Sequence, residues 1–387
     1  MHKAPENRGA PRAVLEGWGL FLPPVETRPP MQNPPQSDKP SGKIESLQML
    51  RAVAALLVAA FHLNASAVLN GGYTGVFNLF EHGESGVDLF FVLSGFIIYF
   101  TAAQKPDLTA RQFLAARFYR IVPPYWAVLA CYIGLAVVLA QALGDASKLP
   151  ELQTLLISVF ILPYPDHVII IAWTLALELV FYGIFALSYF RFGRTGLLTA
   201  MGIWVGLSIA LRVQDLFDPR PLAFLLHSAV LEFLFGILIA MAVLAGRAPL
   251  RLPALFLGVA LFISYLMSGT LLGLTAGREI VAGIPAAFIV YGLTGLKGRQ
   301  PAWVLLAGEA SYLLYLGHLL LFSVLLRAAD MAFGFDLLSS SAAMWAMLAA
   351  ALGVSMALSY YLERPYHAWA RRRLKARATR AAQSRTV

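Results

Sequence analysis

Apolar stretches of membrane-spanning length recur along the chain at roughly 46–69, 84–103, 121–143, 171–190, 195–211, 223–245, 253–273, 279–296, 302–326 and 339–361. A helix needs about 20 predominantly apolar residues to cross a bilayer, so repetition at this length predicts an all-α, polytopic bundle of ten transmembrane helices. Composition agrees: 59% of residues are apolar and 13% charged, against about 25% charged in soluble domains. The fifth stretch is short. A further apolar run, Leu152 to Leu162, is only half a span and is followed by Pro163 and Pro165. It reads as an interfacial or re-entrant helix on the outer face, because a full crossing there would invert every later loop.

Charge sets the orientation, since lysine and arginine accumulate in cytoplasmic loops. With the N-terminus inside, eighteen basic residues fall in inner segments and five, Lys148, Arg212, Arg220, Arg278 and Arg327, in outer ones, leaving aside Arg51 and the N-terminal tail. Both termini are therefore expected in the cytoplasm. The net charge of +9 records topology and gives no reason to expect a nucleic-acid partner. Residues 1–43 are proline-rich and polar and read as a disordered cytoplasmic tail. They are followed by a transmembrane domain over 44–370 and a basic cytoplasmic tail over 371–387, whose arginines suit anionic lipid headgroups. Cys131, the single cysteine, permits no intramolecular disulfide and reads as a small core residue.

Ionisable residues inside apolar helices are costly and are the first places to look for chemistry. The first stretch carries Arg51 and, eleven residues later, His62. Eleven residues turn a helix through about three revolutions plus roughly 20°, which puts both side chains on one face about 16 Å apart. His62 lies towards the outer half of the membrane, where an imidazole can serve as general base, nucleophile or hydrogen-bonding partner. An arginine one turn into a helix can equally snorkel to the inner headgroups.

Asp88 opens the second span at about the depth expected for His62. It can orient or charge-balance the imidazole, or simply cap its helix. In the loop that follows, Arg117 and Arg120 share one side of a helical turn, a spacing that suits phosphate oxygens and positive-inside anchoring alike. Glu178, inside the fourth span, should face the bundle interior and have a partner. Glu232 and His318 pose the same question and rank below Glu178. No metal-ligand spacing, glycine-rich phosphate loop or serine elbow appears, so neither a metal nor a permanently bound cofactor is expected.

Five segments, taken in order, resemble the membrane acyltransferase-3 family. They are the Arg51 to His62 spacing, Gly86 to Ile98, Arg117 to Trp126, Trp173 to Tyr182, and Ser311 to His318. The likeness runs from about residue 44 to 370. Leu47 to Ala55 looks most like the exopolysaccharide-modifying branch related to succinoglycan acetylation, although Gln48-Met49 stands where many relatives have Asp-Gly. The sequence ends soon after the last apolar run, so the extracytoplasmic SGNH-type hydrolase domain of some relatives is not expected.

The resemblance implies transfer of an acyl group, usually acetyl from acetyl-CoA as co-substrate, to a hydroxyl of a cell-surface glycan or its lipid-linked precursor. It implies a multi-pass protein of the bacterial inner membrane, with membrane lipids as surroundings. Carried over by position, His62 matches the family's essential histidine and Arg51 its paired basic residue. Arg117 and Arg120 match the basic pair, expected at the CoA phosphates, and Glu178 the acidic position of the fourth span. A transporter of a glycan or lipid-linked sugar would also be polytopic with buried polar groups, and a non-catalytic partner of a polysaccharide synthase is a third class. Either would act without consuming acyl-CoA.

Overall fold

A computed structural model of the chain describes residues 44–71, 75–144, 147, 149–212, 224–274, 277–296, 298–334 and 336–383. The expected disorder of residues 1–43 lies outside that range, as do Lys148, Arg220, Lys297 and Arg385 of the charge argument. Among the described residues all regular elements are helical. They are α1 (Glu45–Leu69), α2 (Gly86–Ala103), α3 (Ala110–Leu143), α4 (Leu152–Phe160), α5 (Trp173–Arg212), α6 (Val230–Leu244), α7 (Arg251–Ser268), α8 (Arg278–Val281), α9 (Gly283–Leu293), α10 (Ala302–Phe333), α11 (Ser341–Leu358) and α12 (Arg364–Gln383).

Seven helical stretches are long and apolar enough to cross a membrane: 45–69, 83–103, 110–142, 170–210, 251–268, 302–333 and 341–377. The difference from ten has local causes. The stretches 171–190 and 195–211 fall in the single 40-residue helix α5, interrupted at Gly193 with φ 65° and ψ −154°, a backbone conformation essentially confined to glycine. An unbroken helix of that length would measure about 60 Å, twice the hydrocarbon thickness. Gly193 divides it between Arg191 and Arg194. The stretch 223–245 yields only the 15-residue α6, and 279–296 is split at Ala282 into α8 and α9.

Two further readings change. The segment Arg117 to Trp126 is not a loop but part of α3, which begins earlier because Thr109 and Gln112 form a capping box, each side chain bonded to the other's backbone N–H. Pro123 and Pro124 lie inside that helix, as prolines can in bundle helices whose freed backbone groups find other partners. Cys131 is exposed rather than in the core, because α3 runs along the periphery with most of its apolar surface unburied. α4 has nine residues and ends at Ile161 in the left-handed region, giving about 13 Å of helix, too short to cross. The boundary at residue 371 falls within α12, which continues without a break.

Glycines set how closely the central helices approach. A Cβ on Gly95 of α2 would overlap the Phe233 backbone of α6, and a Cβ on Gly236 of α6 would overlap the Val92 and Phe96 backbone of α2. Close backbone approach through small residues is the usual basis of helix association in membranes. Around this contact Phe181 of α5 stacks on Phe233 at 4.3 Å, and Phe91 packs at 4.9 Å from the same ring. Gly236→Val is expected to force the two backbones apart and lower the midpoint of thermal unfolding in detergent by roughly 2–6 °C, as overpacking of about 1–3 kcal/mol does. An unchanged midpoint would show that the contact is not tight.

α10 lies along α1 in the same direction, with Gly308 against the Gln48 backbone and, further on, His318 against His62. The end of this pair at the start of α1 is tied by Glu45, which accepts the Gln300 backbone N–H at 2.7 Å, and by Ser46, which donates to the Leu293 carbonyl at 2.8 Å. Arg364 at the start of α12 donates to Glu309 of α10 at 2.7 Å.

Candidate active site

α1, α2, α3, α5 and α10 enclose a cavity of about 370 Å³ whose wall includes Arg51, Arg117, Arg120 and Glu178. Four of the residues singled out from sequence therefore meet in one space. The helical spacing explains Arg117 and Arg120, which turn the same side of α3 inwards. Arg117 packs its guanidinium against Phe113 and Tyr182, 5.4 and 5.8 Å from the ring centroids, and its Nε is buried without a hydrogen-bond partner. Glu178 has the partners that a membrane carboxylate requires: its Oε1 accepts from Ser94 Oγ at 2.5 Å and from Tyr182 OH at 2.6 Å.

The cavity thus has three guanidinium groups against one carboxylate, and that carboxylate is already engaged by neutral donors. Among the described residues no carboxylate oxygen forms an ion pair with Arg51, Arg117 or Arg120. A surplus of positive charge in a low-dielectric wall attracts an anion, and guanidinium groups match phosphate oxygens in geometry. The wall continues past Leu175 to Thr174 and Tyr315, whose hydroxyls are bonded at 2.8 Å. Tyr312 braces the space by donating to the Ile121 carbonyl at 2.8 Å.

His62 is not part of the cavity wall. It lies beyond Tyr315, paired with His318, whose ring is 6.4 Å from that of Tyr315 and 5.1 Å from that of His62. Each histidine leans back along its own helix, as helical side chains do, and reaches the carbonyl one turn earlier. His62 Nδ1 lies 2.8 Å from the Val58 oxygen, and His318 Nδ1 2.9 Å from the Leu314 oxygen. Carbonyl oxygens only accept, so both Nδ1 atoms carry the proton and, in the neutral rings, both Nε2 atoms are bare. His318 Nε2 sits 3.3 Å from His62 Nδ1, where it shares the same N–H. His62 Nε2 is left with a free lone pair.

Asp88 does not join this pair. α2 meets α1 with Gly86 against Ala54 and Val58, four to eight residues short of His62 and about 6–12 Å from it along the helix, and Asp88 lies a further two residues into α2. The short turns Gly75–Phe80 and Gly83–Ser85 carry the chain back down before α2 begins, so equal depth fails. Asp88 is fully buried and accepts from Arg278 Nε at 3.2 Å through Oδ1. Its carboxyl also abuts that of Glu232, and Asp88 Oδ2 and Glu232 Oε2 are otherwise without partners. Arg278 supplies the positive charge beside these two buried carboxyls. Sequence reading named Glu232 and Arg278 but had no means of joining them to Asp88.

His318 is the residue that the sequence undervalued. The available signal was its placement: it follows Ala302 by sixteen residues, and His62 follows Glu45 by seventeen, so parallel helices bring the two level. His167, between α4 and α5, is buried with both ring nitrogens unpartnered. Burial holds its pKa below the ordinary histidine value, so it stays neutral around pH 7. Among the described residues no group of three or more His, Cys, Asp or Glu side chains is placed to hold a metal ion.

Comparison with known proteins supplies the family. An acyltransferase domain model, that of the acyltransferase-3 family, matches residues 44–364. The exopolysaccharide production protein ExoZ of Rhizobium meliloti (strain 1021) is 33% identical over 301 residues, covering 74% of this chain and 90% of that protein. No solved structure matches. With the family model spanning both the arginine-lined cavity and the histidine pair, the chain belongs to the acyltransferase-3 family and is a membrane acyltransferase.

Proposed function

We propose that this protein moves an acetyl group from acetyl-CoA to a hydroxyl of an exopolysaccharide or of its lipid-linked precursor, at the bacterial inner membrane. One observation carries the reading. A cavity with surplus guanidinium charge ends at Tyr315, beside an imidazole pair whose His62 Nε2 is bare. The kinship with ExoZ supports an exopolysaccharide as acceptor. Ten crossings with both termini in the cytoplasm fit the charge asymmetry, and the break in α5 at Gly193 supports counting that helix twice.

Arg117 and Arg120 hold phosphate oxygens of CoA at the inner end of the cavity, and Arg51 adds charge along the path. The thioester reaches towards His62, whose Nε2 takes the proton from the acceptor hydroxyl as its oxygen attacks the carbonyl carbon. The carbon–sulfur bond breaks, and the leaving thiolate takes that proton back from His62. Attack by His62 itself to form an acyl-imidazole is the competing sequence. Glu178, held by Ser94 and Tyr182, keeps Tyr182 and through it Arg117 in place.

The reading is tested by transfer of labelled acetyl from acetyl-CoA to host glycan extract by the purified protein in liposomes. Label in the glycan is expected; donor left unconsumed by folded protein in the presence of the glycan extract would sink the proposal. Arg120→Gln is expected to raise the KM for acetyl-CoA about tenfold or more, as loss of a charge-assisted hydrogen bond does. The same variant should leave S-acetylpantetheine, which lacks the nucleotide phosphates, unaffected. Equal effects on both donors would remove Arg120 from the phosphate site.

A further inference from the structure

We infer that His318 is a positioning residue for acyl transfer: its bare Nε2 holds the His62 ring by the Nδ1–H and accepts the charge that His62 gains when Nε2 reacts. This rests on the reading of His62 as the reacting group. The arrangement is built from two parallel helices, α1 and α10, each offering one imidazole at the same level, with Nε2 of one 3.3 Å from Nδ1 of the other.

Three features favour positioning over simple packing. The torsion that turns an imidazole about its own axis is broad and poorly fixed by sterics, so a single acceptor at Val58 leaves the ring free to swing. A second acceptor on another helix removes that freedom. The direction of the bond is also determined, because His318 Nδ1 is committed to the Leu314 carbonyl at 2.9 Å and its Nε2 has only a lone pair to offer. Finally, His318 is 1% exposed, closed in by Phe322 at 5.7 Å and Tyr315 at 6.4 Å. A carboxylate there would bring an unpaired charge into the bundle, whereas a neutral imidazole accepts the same hydrogen bond at no such cost.

When Nε2 of His62 takes the hydroxyl proton, the Nδ1–H becomes a charge-assisted donor, and such bonds are roughly twice as strong as neutral ones. His318 Nε2 is then the partner that stabilises the cation. When the thiolate recovers the proton, the pair returns to its starting state, so no proton is gained or lost over the cycle.

The test uses full-length protein in liposomes, with labelled acetyl-CoA and host glycan extract, in His318→Leu and His318→Gln variants. Leucine cannot accept a hydrogen bond, whereas the glutamine amide oxygen can. Transfer by His318→Leu is expected to fall roughly 100-fold in kcat, with the KM for acetyl-CoA within about twofold, while His318→Gln regains most of the rate. A second readout is independent of activity. The chain has seven histidines, and with 15N-labelled histidine the His62 signals are assigned by their loss in His62→Ala.

Wild type should show His62 with Nδ1 protonated and Nε2 bare, and the Nδ1 signal should move in His318→Leu. A protonated Nε2, or His62 signals that stay put in His318→Leu, overturns the inference whatever the activity. Equal loss in both variants with unmoved signals marks a packing role and also overturns it. Absence of transfer by wild type counts against the proposed function alone, since the nitrogen spectrum still decides the pair.

Discussion

Replacing His62 with alanine is expected to reduce acetyl transfer by about a thousandfold or more, the scale for losing a general base together with its positioning, or a covalent nucleophile. The variant should fold. Among the described residues the His62 side chain bonds to the carbonyl of its own helix and to His318, and its loss leaves one buried acceptor, His318 Nε2, without a donor, at a cost of about 1–3 kcal/mol. Unfolding midpoint and rate measured on the same preparation separate the two effects. A folded His62→Ala protein with normal turnover would exclude both the base and the nucleophile mechanisms, and with them the placing of the chemistry at the histidine pair of α1 and α10.

The second large effect concerns stability, at Arg278. Its guanidinium is the counter-charge for a buried carboxyl pair, accepted by Asp88 at 3.2 Å with Glu232 alongside. Removing one partner from such a site costs about 3–5 kcal/mol, because the remaining charge is stranded in a low dielectric. Arg278→Met is therefore expected to lower the unfolding midpoint in detergent by roughly 5–10 °C. Asp88→Asn in the same protein should recover a large part of that loss by removing the stranded charge. Strict additivity of the two substitutions in a double-mutant cycle would show that the pair is not coupled. Because Asp88 is remote from His62 in the bundle, the cycle is predicted to affect stability and not the chemical step.

These two predictions mark where sequence reading succeeded and where it stopped. The three-residue interval between Arg117 and Arg120 is a helical periodicity, so the face that pair shares could be read directly, whereas of the eleven-residue pair Arg51 and His62 only Arg51 reaches the cavity wall. The requirement that Glu178 have a partner followed from the cost of a bare carboxylate in lipid. Which partner it takes did not follow, since Ser94 lies eighty-four residues away on another helix.

Asp88 shows the same limit as an error. Its depth was counted from the ends of the apolar runs, but the turns between α1 and α2 consume chain without crossing the bundle, and Gly86 is drawn against Ala54 because only a glycine fits there. The ten-span count failed to translate into ten long helices for a related reason: Gly193 and Ala282 interrupt helices at single residues, which an average over apolar stretches cannot register.

By itself, then, the sequence determined the class of fold, the residue types available for chemistry and the family, because these depend on composition, local period and ordered motifs. The tertiary structure alone decided that Arg51, Arg117, Arg120 and Glu178 enclose one cavity, that Asp88 belongs to Arg278 and Glu232, and that His62 is paired with His318. Those pairings arise from the register of one helix against another, which is set by where glycine permits close backbone contact and by which buried polar atoms must find partners, and a single helix carries no record of either.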